Sequence, residues 1–135
     1  MFGVEQKILL HKIRKPLRKN LNEDLQWIGR SFGFFNPRDK DRSMFRLFIE
    51  LLQASKHKQE LSSEHIAQLL NISRGTVVHH LNKLIEAGIV VENRNRYKLR
   101  VDSLELLVDE LERDIKRNFE DIKEVARDVD SMMER

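Results

Sequence analysis

Residues 61–101, LSSEHIAQLLNISRGTVVHHLNKLIEAGIVVENRNRYKLRV, contain the sharpest structural signals in the chain. Ser62 or Ser63 can cap a short helix, and residues 71–73 interrupt that helix after two turns. Ser73 can then cap a second helix over residues 74–87, which a left-handed Gly88 would end. Two short helices joined by three residues predict a helix-turn-helix.

The residues after the second helix predict a β-hairpin. Ile89–Glu92 and Arg96–Val101 are predicted to be two strands that flank a turn at residues 93–95. A hairpin in this place is a wing. Its cations suit phosphate contact or insertion into the minor groove, although a basic hairpin can also be plain solvated surface. These cations are Arg94, Arg96, Lys98 and Arg100.

Three further helices are predicted before this stretch. Residues 4–15 have apolar side chains at helical spacing ahead of Pro16, and a second helix begins near Asn22. Residues 34–42 form a charged loop, after which Asp41 or Ser43 caps the third helix. The third helix has an apolar stripe for the core, composed of Phe45, Phe48, Leu51 and Leu52.

One long helix is predicted for residues 102–135, which contain no Gly or Pro, with Asp102 and Glu105 spaced as a capping box. Its apolar residues repeat in heptads, which predicts a coiled-coil-like dimerisation seam. The acidic flanking positions leave parallel, antiparallel and multi-helix packing open. The residues assigned to dimerisation are Leu104, Val108, Leu111, Ile115, Asn118, Ile122, Val125 and Val129.

Composition sets the class of the protein. A chain of 135 residues suits one domain, and its few Gly and Pro indicate a mainly helical fold with a small hairpin. The chain has no Cys, which excludes disulfides, thiolate zinc sites and cysteine nucleophiles. Since the start of the chain lacks a secretory signal and no apolar run could span a bilayer, we expect a cytoplasmic protein without a membrane partner.

Charge divides the chain unevenly. Residues 1–101 contain 19 Lys/Arg and 10 Asp/Glu, a net charge of +9, whereas residues 102–135 contain 6 and 12, a net charge of −6. We therefore expect a basic helical segment at 1–35 for dimer and flanking-DNA contacts, a winged DNA-binding domain at 36–101, and an acidic dimerisation helix at 102–135. Two ordinary solvated surfaces remain an alternative. A basic cluster could grip phosphates or pair with the acidic helix; it comprises His11, Lys12, Arg14, Lys15, Arg18 and Lys19.

Residues 61–100 resemble the winged helix-turn-helix of ArsR-type transcription regulators. The most specific part is NISRGTVVHHLNKLIEAGIV, residues 71–90, which is similar to that family's recognition helix with its His-His-Leu centre, closing Glu-Ala-Gly and following strand. The resemblance covers roughly a third of the chain. It implies a winged helix, a dimer interface built from the flanking helices, and regulation of transcription.

The residues of the second helix support DNA binding without the resemblance. One side is apolar, while the other carries small or hydrogen-bonding groups beside the positive end of the helix dipole. Arg74 could bind guanine or phosphate bidentately, whereas His80, beside Leu84, is expected to pack in the core. The predicted DNA-binding residues are Ser73, Arg74, Gly75, Thr76, His79, Asn82, Lys83, Arg94, Arg96 and Lys98.

No metal, cofactor or catalytic residue is predicted. ArsR-type proteins often sense metals through Cys-x-Cys on the first helix of the motif, where this chain has Ser62 and Glu64, and residues 102–135 lack the histidine of that family's second site. Glu64 and His65 are adjacent and therefore point in different directions on a helix. The chain also lacks the phosphate-loop, His-Glu-x-x-His and Gly-x-Ser-x-Gly motifs.

The combined prediction is a DNA-binding repressor that acts as a homodimer on an inverted-repeat operator in double-stranded DNA, with no enzymatic activity and no identified effector. Two alternatives stay open. The winged helix could be a protein-interaction module of a larger assembly, with the acidic helix as its binding surface. It could also belong to a non-specific chromatin component, for which the basic body suffices.

Overall fold

A computed structural model of the chain describes residues 2–17, 20–35 and 42–135. A two-stranded antiparallel hairpin directly follows a pair of short helices, and a long helix follows the hairpin, which confirms the predicted winged-helix class. Within the described residues, no helix is long and apolar enough to cross a bilayer. The elements are α1 (Leu21–Ser31), α2 (Ser43–Lys56), α3 (Ser63–Leu70), α4 (Arg74–Glu86), β1 (Val90–Asn93), β2 (Arg96–Leu99) and α5 (Leu104–Met133).

The hydrophobic core lies between α2, α3, α4 and the hairpin. Each helix turns its apolar face inward, as the helical spacing predicts, and each fully buried aliphatic side chain contributes roughly 1.5–3 kcal/mol. Of the predicted α2 stripe, two residues are buried and two are partly buried. The largest fully enclosed side chains on these helices are Phe48, Leu47, Leu51, Ile66, Leu81, Leu84 and Val77.

Local capping fixes the helix-turn-helix. The Ser62 hydroxyl accepts a hydrogen bond from His65 N at 3.1 Å, and the Ser73 hydroxyl accepts one from Thr76 N at 3.1 Å. Asn71 takes a left-handed conformation (φ 54°) and ends α3. Gly88, with φ 79°, follows the end of α4, so the predicted boundaries are confirmed to within one residue.

The wing is a tight hairpin with the register Val90↔Leu99 and Asn93↔Arg96. Its two-residue loop, Arg94-Asn95, has positive φ at both residues (52° and 61°), which is the geometry of a type I′ turn. β1 is as long as predicted but begins one residue later, and β2 ends two residues earlier than predicted. Leu61 also exchanges backbone hydrogen bonds with Tyr97 at 2.8 and 3.0 Å and ties the wing to the segment before α3, a contact the sequence did not reveal.

The helix predicted over residues 4–15 is wrong. Residues 2–17 contain no helix and run as an extended arm across the ends of two helices. Lys7 N donates to the carbonyl of Glu86 at 2.9 Å, and His11 N donates to the carbonyl of Ser31 at 2.8 Å. The last carbonyls of a helix lack partners within the helix. The arm supplies those partners, which it could not do if its own N–H groups were bonded in a helix.

The starts of α1 and α2 differ from the prediction. α1 begins at Leu21, because the Asn20 side chain accepts from Glu23 N at 2.8 Å. α2 begins at Ser43, and the preceding residue, Arg42, makes no side-chain cap hydrogen bond. Ser43 is itself the first helical residue and therefore not the predicted cap. Its hydroxyl lies 2.7 Å from Nε2 of His80 instead. Most of the predicted loop 34–42, including the alternative cap Asp41, lies outside the described residues.

α5 begins one residue later than predicted and packs along only part of its length. Ser103, not Asp102, caps it, since the Ser103 hydroxyl accepts from Leu106 N at 3.1 Å. Leu107, Leu111 and Asp114 are buried on the body of the protein, whereas every residue from 116 onward is exposed. More than half of the helix therefore extends without cover from this chain.

Candidate nucleic-acid interface

One face of α4 is open to solvent. Val77, Leu81 and Leu84 hold the opposite face in the core, so the helix cannot rotate without uncovering them. The predicted DNA-binding residues of α4 lie on the open face, with Thr76 partly covered and the others exposed. The hydroxyls of Ser73 and Thr76 lie 2.8 Å apart, so both take part in the cap of α4. His80 is buried, which confirms that it packs in the core.

Arg74, the first residue of α4, forms an ion pair with an acidic residue of α3. Arg74 Nε lies 3.1 Å from Glu64 Oε1, and the two side chains are 65% and 50% exposed. Asn95, in the wing turn, donates from Nδ2 to Glu64 Oε2 at 2.8 Å. This hydrogen bond is the main cause that lowers the pKa of the Glu64 carboxyl, so Glu64 is ionised at neutral pH. Sequence reasoning missed this pairing, because Glu64 was considered only as a metal ligand.

The wing presents its cations unequally. Arg94 and Arg96 are exposed, and the structure gives neither an ion pair among the described residues. Lys98 is also exposed, and its Nζ lies 4.0 Å from Glu60 Oε1. Arg100 is not part of this surface, contrary to its place among the four predicted wing cations. Its guanidinium instead contacts the carboxylates of Glu110 and Asp114 on α5.

The Asp114 carboxylate is the centre of a charged cluster below the wing. It accepts hydrogen bonds from Arg100 Nη1 at 2.5 Å and from Gln6 Nε2 at 2.8 Å, and it also contacts Arg117. The Asp114 side chain is 5% exposed. The hydrogen bond from Arg100 is the main cause that lowers the pKa of Asp114, so the carboxyl stays ionised although it is buried. This cluster joins the arm, the wing and α5.

The basic residues of the arm stay on the surface. His11, Lys12, Arg14 and Lys15 are exposed, and within the described part of the chain none of them pairs with the acidic helix. Arg18 and Lys19 lie outside the described residues. The described part of the chain also holds no group of three or more His, Asp or Glu side chains close enough to share a metal ion.

The predicted dimerisation residues divide into two groups. Leu111 is buried in its own chain, while Leu104 and Ile115 are partly covered. The others leave an apolar face open, to which Phe119, Met132 and Met133 contribute as well. Asn118 lies in the exposed part of the same seam. The exposed members predicted from the heptads are Val108, Ile122, Val125 and Val129, at 40–61% exposure.

Comparison with known proteins agrees with this geometry. Residues 42–93 match the family model of a helix-turn-helix domain, a span that runs from the start of α2 through β1. No curated protein and no solved structure matches the chain. Domains of this class are typically not enzymatic. The chain thus carries a helix-turn-helix domain of the kind that DNA-binding transcription regulators use.

Proposed function

We propose that this protein is an ArsR-like transcriptional repressor that binds a specific sequence in duplex DNA as a homodimer. The observation that carries the proposal is the open polar face of α4 beside two wing cations, Arg94 and Arg96, that lack protein partners in the described residues. An α-helix fits the major groove of B-DNA, and phosphate contacts from nearby cations fix its register.

The proposed docking follows from the direction of α4. Its first turn carries the positive end of the helix dipole and Arg74, so this end approaches phosphates and base edges. His79, Asn82 and Lys83 are exposed farther along the same helix and follow the groove. The strands of the wing begin beyond the other end of α4, and the wing turn returns to the first turn of this helix through the contact of Asn95 with Glu64, so that the wing cations reach the neighbouring backbone there. Ser73, Gly75, Thr76 and Lys98 complete the proposed contact surface.

The partner proposed for α5 is a second copy of the chain. Residues 119–133 form about 22 Å of helix at 1.5 Å per residue, with an apolar seam that none of the described residues covers. A heptad seam is self-complementary, because the same side chains meet across a two-fold axis. Phe119 also lines a cleft of about 1000 Å³ between the arm and α5, together with Val4 and Ile8.

A two-fold dimer places two α4 helices about 34 Å apart and therefore requires an inverted repeat. The test is selection from random duplex DNA at about 150 mM salt, which suppresses weak binding to phosphate alone. Enrichment of an inverted repeat is the expected result. Retention of DNA without a motif would favour a chromatin component, and no retention would favour a protein-interaction module.

Single substitutions separate base reading from phosphate binding. Arg74→Ala should reduce the preference for the operator, whereas Arg94→Ala and Arg96→Ala should weaken binding to all sequences and flatten its salt dependence. Lys123→Ala removes one exposed cation from α5 and is the matched control. Binding titrations on operator and scrambled DNA measure both effects. An equal loss of preference in all three variants would contradict this division of roles.

A further inference from the structure

Four side chains from three elements meet at the DNA-facing end of α4. Ser63 and Glu64 belong to the first turn of α3, Arg74 begins α4, and Asn95 lies in the wing turn. We call them the Glu64 cluster. The cluster links three separate segments of the chain, α3, α4 and the wing, at the surface proposed to meet DNA.

Hydrogen bonds and an ion pair connect the four members of the cluster. Ser63 is fully buried, and its hydroxyl donates to Asn95 Oδ1 at 2.9 Å. Asn95 Nδ2 donates to Glu64 Oε2 at 2.8 Å, and Arg74 forms an ion pair with the same carboxylate, with Nε 3.1 Å from Oε1. The Ser63 hydroxyl also lies 3.3 Å from Glu64 Oε2. Arg74 and Asn95, the two partners of Glu64 outside α3, both lie on the proposed DNA surface.

The contacts of Arg74 leave its two terminal nitrogens available to bind DNA. Its Nε donates to the Ser63 hydroxyl at 3.4 Å and lies 3.1 Å from Glu64 Oε1, while Nη1 and Nη2 make no hydrogen bond to the described residues. Arginine has five donors in a rigid plane, and a bidentate contact with guanine O6 and N7 needs two of them. The bond at Nε therefore fixes the plane of the guanidinium without using the terminal nitrogens.

A carboxylate on a DNA-binding face also has an unfavourable effect, because it repels phosphates. Exposed ion pairs contribute little to the free energy of folding, so the Glu64–Arg74 pair adds little to the attachment of α3 to α4. The pair matters more for the orientation of the Arg74 side chain. An unpaired arginine samples many rotamers, and DNA binding would have to restrict them at a cost in entropy.

We propose that Glu64 is a positioning residue for DNA recognition: it orients Arg74 toward one base pair of the operator and, through Asn95, holds the wing turn against the same helix. The inference rests on the proposed function. Glu64 itself contacts neither base nor phosphate. Its removal should therefore change sequence preference at the base pair that Arg74 reads, and not at others.

The test compares Glu64→Ala, Arg74→Ala and the double variant on the selected operator and on operators changed at one base pair at a time. Arg74→Ala should lower the operator preference about tenfold or more at one base pair, the loss expected for one bidentate contact. Glu64→Ala should lower the preference at the same base pair, about threefold or more, and the double variant should match Arg74→Ala. Glu64→Gln, which keeps one amide oxygen as acceptor, should fall between wild type and Glu64→Ala.

Glu60→Ala is the matched control, because Glu60 is an exposed acid that pairs with Lys98 and does not contact Arg74. It should leave the preference at every base pair unchanged. If Glu64 acted only by repelling phosphates, Glu64→Ala would raise the affinity for all sequences with an unchanged preference, and the proposal would be overturned. A wild-type protein that selects no motif overturns the proposed function and this inference together.

A measurement without DNA tests the positioning role of Glu64 separately from the proposed function. The Arg74 Nε–H group should show slowed exchange with solvent in an ¹⁵N NMR spectrum of the free protein, since the ion pair with Glu64 holds it against the Ser63 hydroxyl, to which it donates. Glu64→Ala should abolish that protection, whereas Glu60→Ala should leave it intact. Unchanged exchange in Glu64→Ala would overturn the positioning role even if the operator is found.

Discussion

Arg94 lies at the wing tip in a left-handed conformation, with φ 52°. This conformation costs an ordinary side chain about 1–2 kcal/mol, while asparagine adopts it readily. Arg94→Asn should therefore keep the turn and leave the free energy of unfolding equal or up to about 1 kcal/mol higher. The same change should weaken binding to all DNA sequences and reduce the salt slope by about 1, because one phosphate contact is lost.

Urea unfolding and DNA titrations at several salt concentrations measure the two effects of Arg94→Asn. Arg96→Asn is the control, since Arg96 is an exposed wing cation in a strand and not at positive φ. It should weaken DNA binding similarly and give no gain in stability. A loss of stability in Arg94→Asn would show that the strained turn is held by contacts of the Arg94 side chain.

Asp114 gives a prediction with a defined pH dependence. In Asp114→Asn the Arg100 guanidinium, 27% exposed, loses its main partner, so the free energy of unfolding at pH 7 should fall by about 1–3 kcal/mol, less than for a fully buried pair. The folded-state pKa of Asp114 lies below its ordinary value of 3.8. Its stabilising effect is therefore complete above that value and is lost as the pH falls through the folded-state pKa.

Denaturant unfolding of wild type and Asp114→Asn between pH 7 and pH 2 tests this dependence. The difference in stability should be constant near neutrality and should shrink below about pH 4. Asp121→Asn is the same change at an exposed site on α5 and should have little effect at any pH. A difference that stays constant down to pH 2 would mean that the ionised carboxylate does not contribute.

At the scale of single elements, the arm shows where the sequence pattern fails. Val4, Leu9 and Ile13 have helical spacing, but their helix would have left the final carbonyls of α1 and α4 without partners. Those carbonyls belong to residues up to 79 positions away from the arm, as in the Lys7–Glu86 hydrogen bond. Local periodicity contains no information about such partners, so tertiary structure overrides it.

The helix-turn-helix could be predicted well for the opposite reason. Ser62, Ser73 and Gly88 act on backbone groups within a few residues, so their positions fix the ends of α3 and α4. The open face of α4 follows from the same periodicity. The pairing of Glu64 with Arg74 and Asn95 could not be predicted, because the Glu64–Asn95 contact joins residues 31 positions apart in a geometry set by the wing turn.

The Gln6 side chain is the main polar anchor of the arm. Its Nε2 donates to the Ala87 carbonyl at 3.0 Å and to Asp114 at 2.8 Å. Gln6→Ala should lower the free energy of unfolding by about 1–2 kcal/mol, since a charge-assisted hydrogen bond is lost. It should also speed hydrogen exchange at Lys7 N and His11 N, which bond the helix ends.

Lys7→Ala is the control for Gln6→Ala. The Lys7 residue is exposed and bonds the body through its backbone, which the substitution retains. Stability and exchange at both amides should stay close to wild type. If Gln6→Ala leaves the His11 amide protected, the arm is held by its backbone contacts rather than by this side chain.

At the scale of the whole molecule, part of the charge asymmetry is neutralised inside the fold. Arg100 and Arg117 from the basic and acidic parts of the chain both contact Asp114, so they add little to the field that DNA experiences. The exposed cations of the wing, α4 and the arm are among those that remain. The acidic outer part of α5 is repelled by phosphates, which favours orientations with α4 toward the duplex.

The final prediction concerns the dimer. Ile122→Lys places a charge in the exposed seam of α5, where it must be desolvated if two copies pack there. The folded monomer should be unaffected, because Ile122 contacts no core residue of its own chain. Sedimentation should show a shift from dimer to monomer, and affinity for the inverted repeat should fall toward that for one half-site as the second contact is lost. Glu124→Gln changes the net charge equally off the seam and should remain dimeric. A dimer in both variants would place the interface elsewhere.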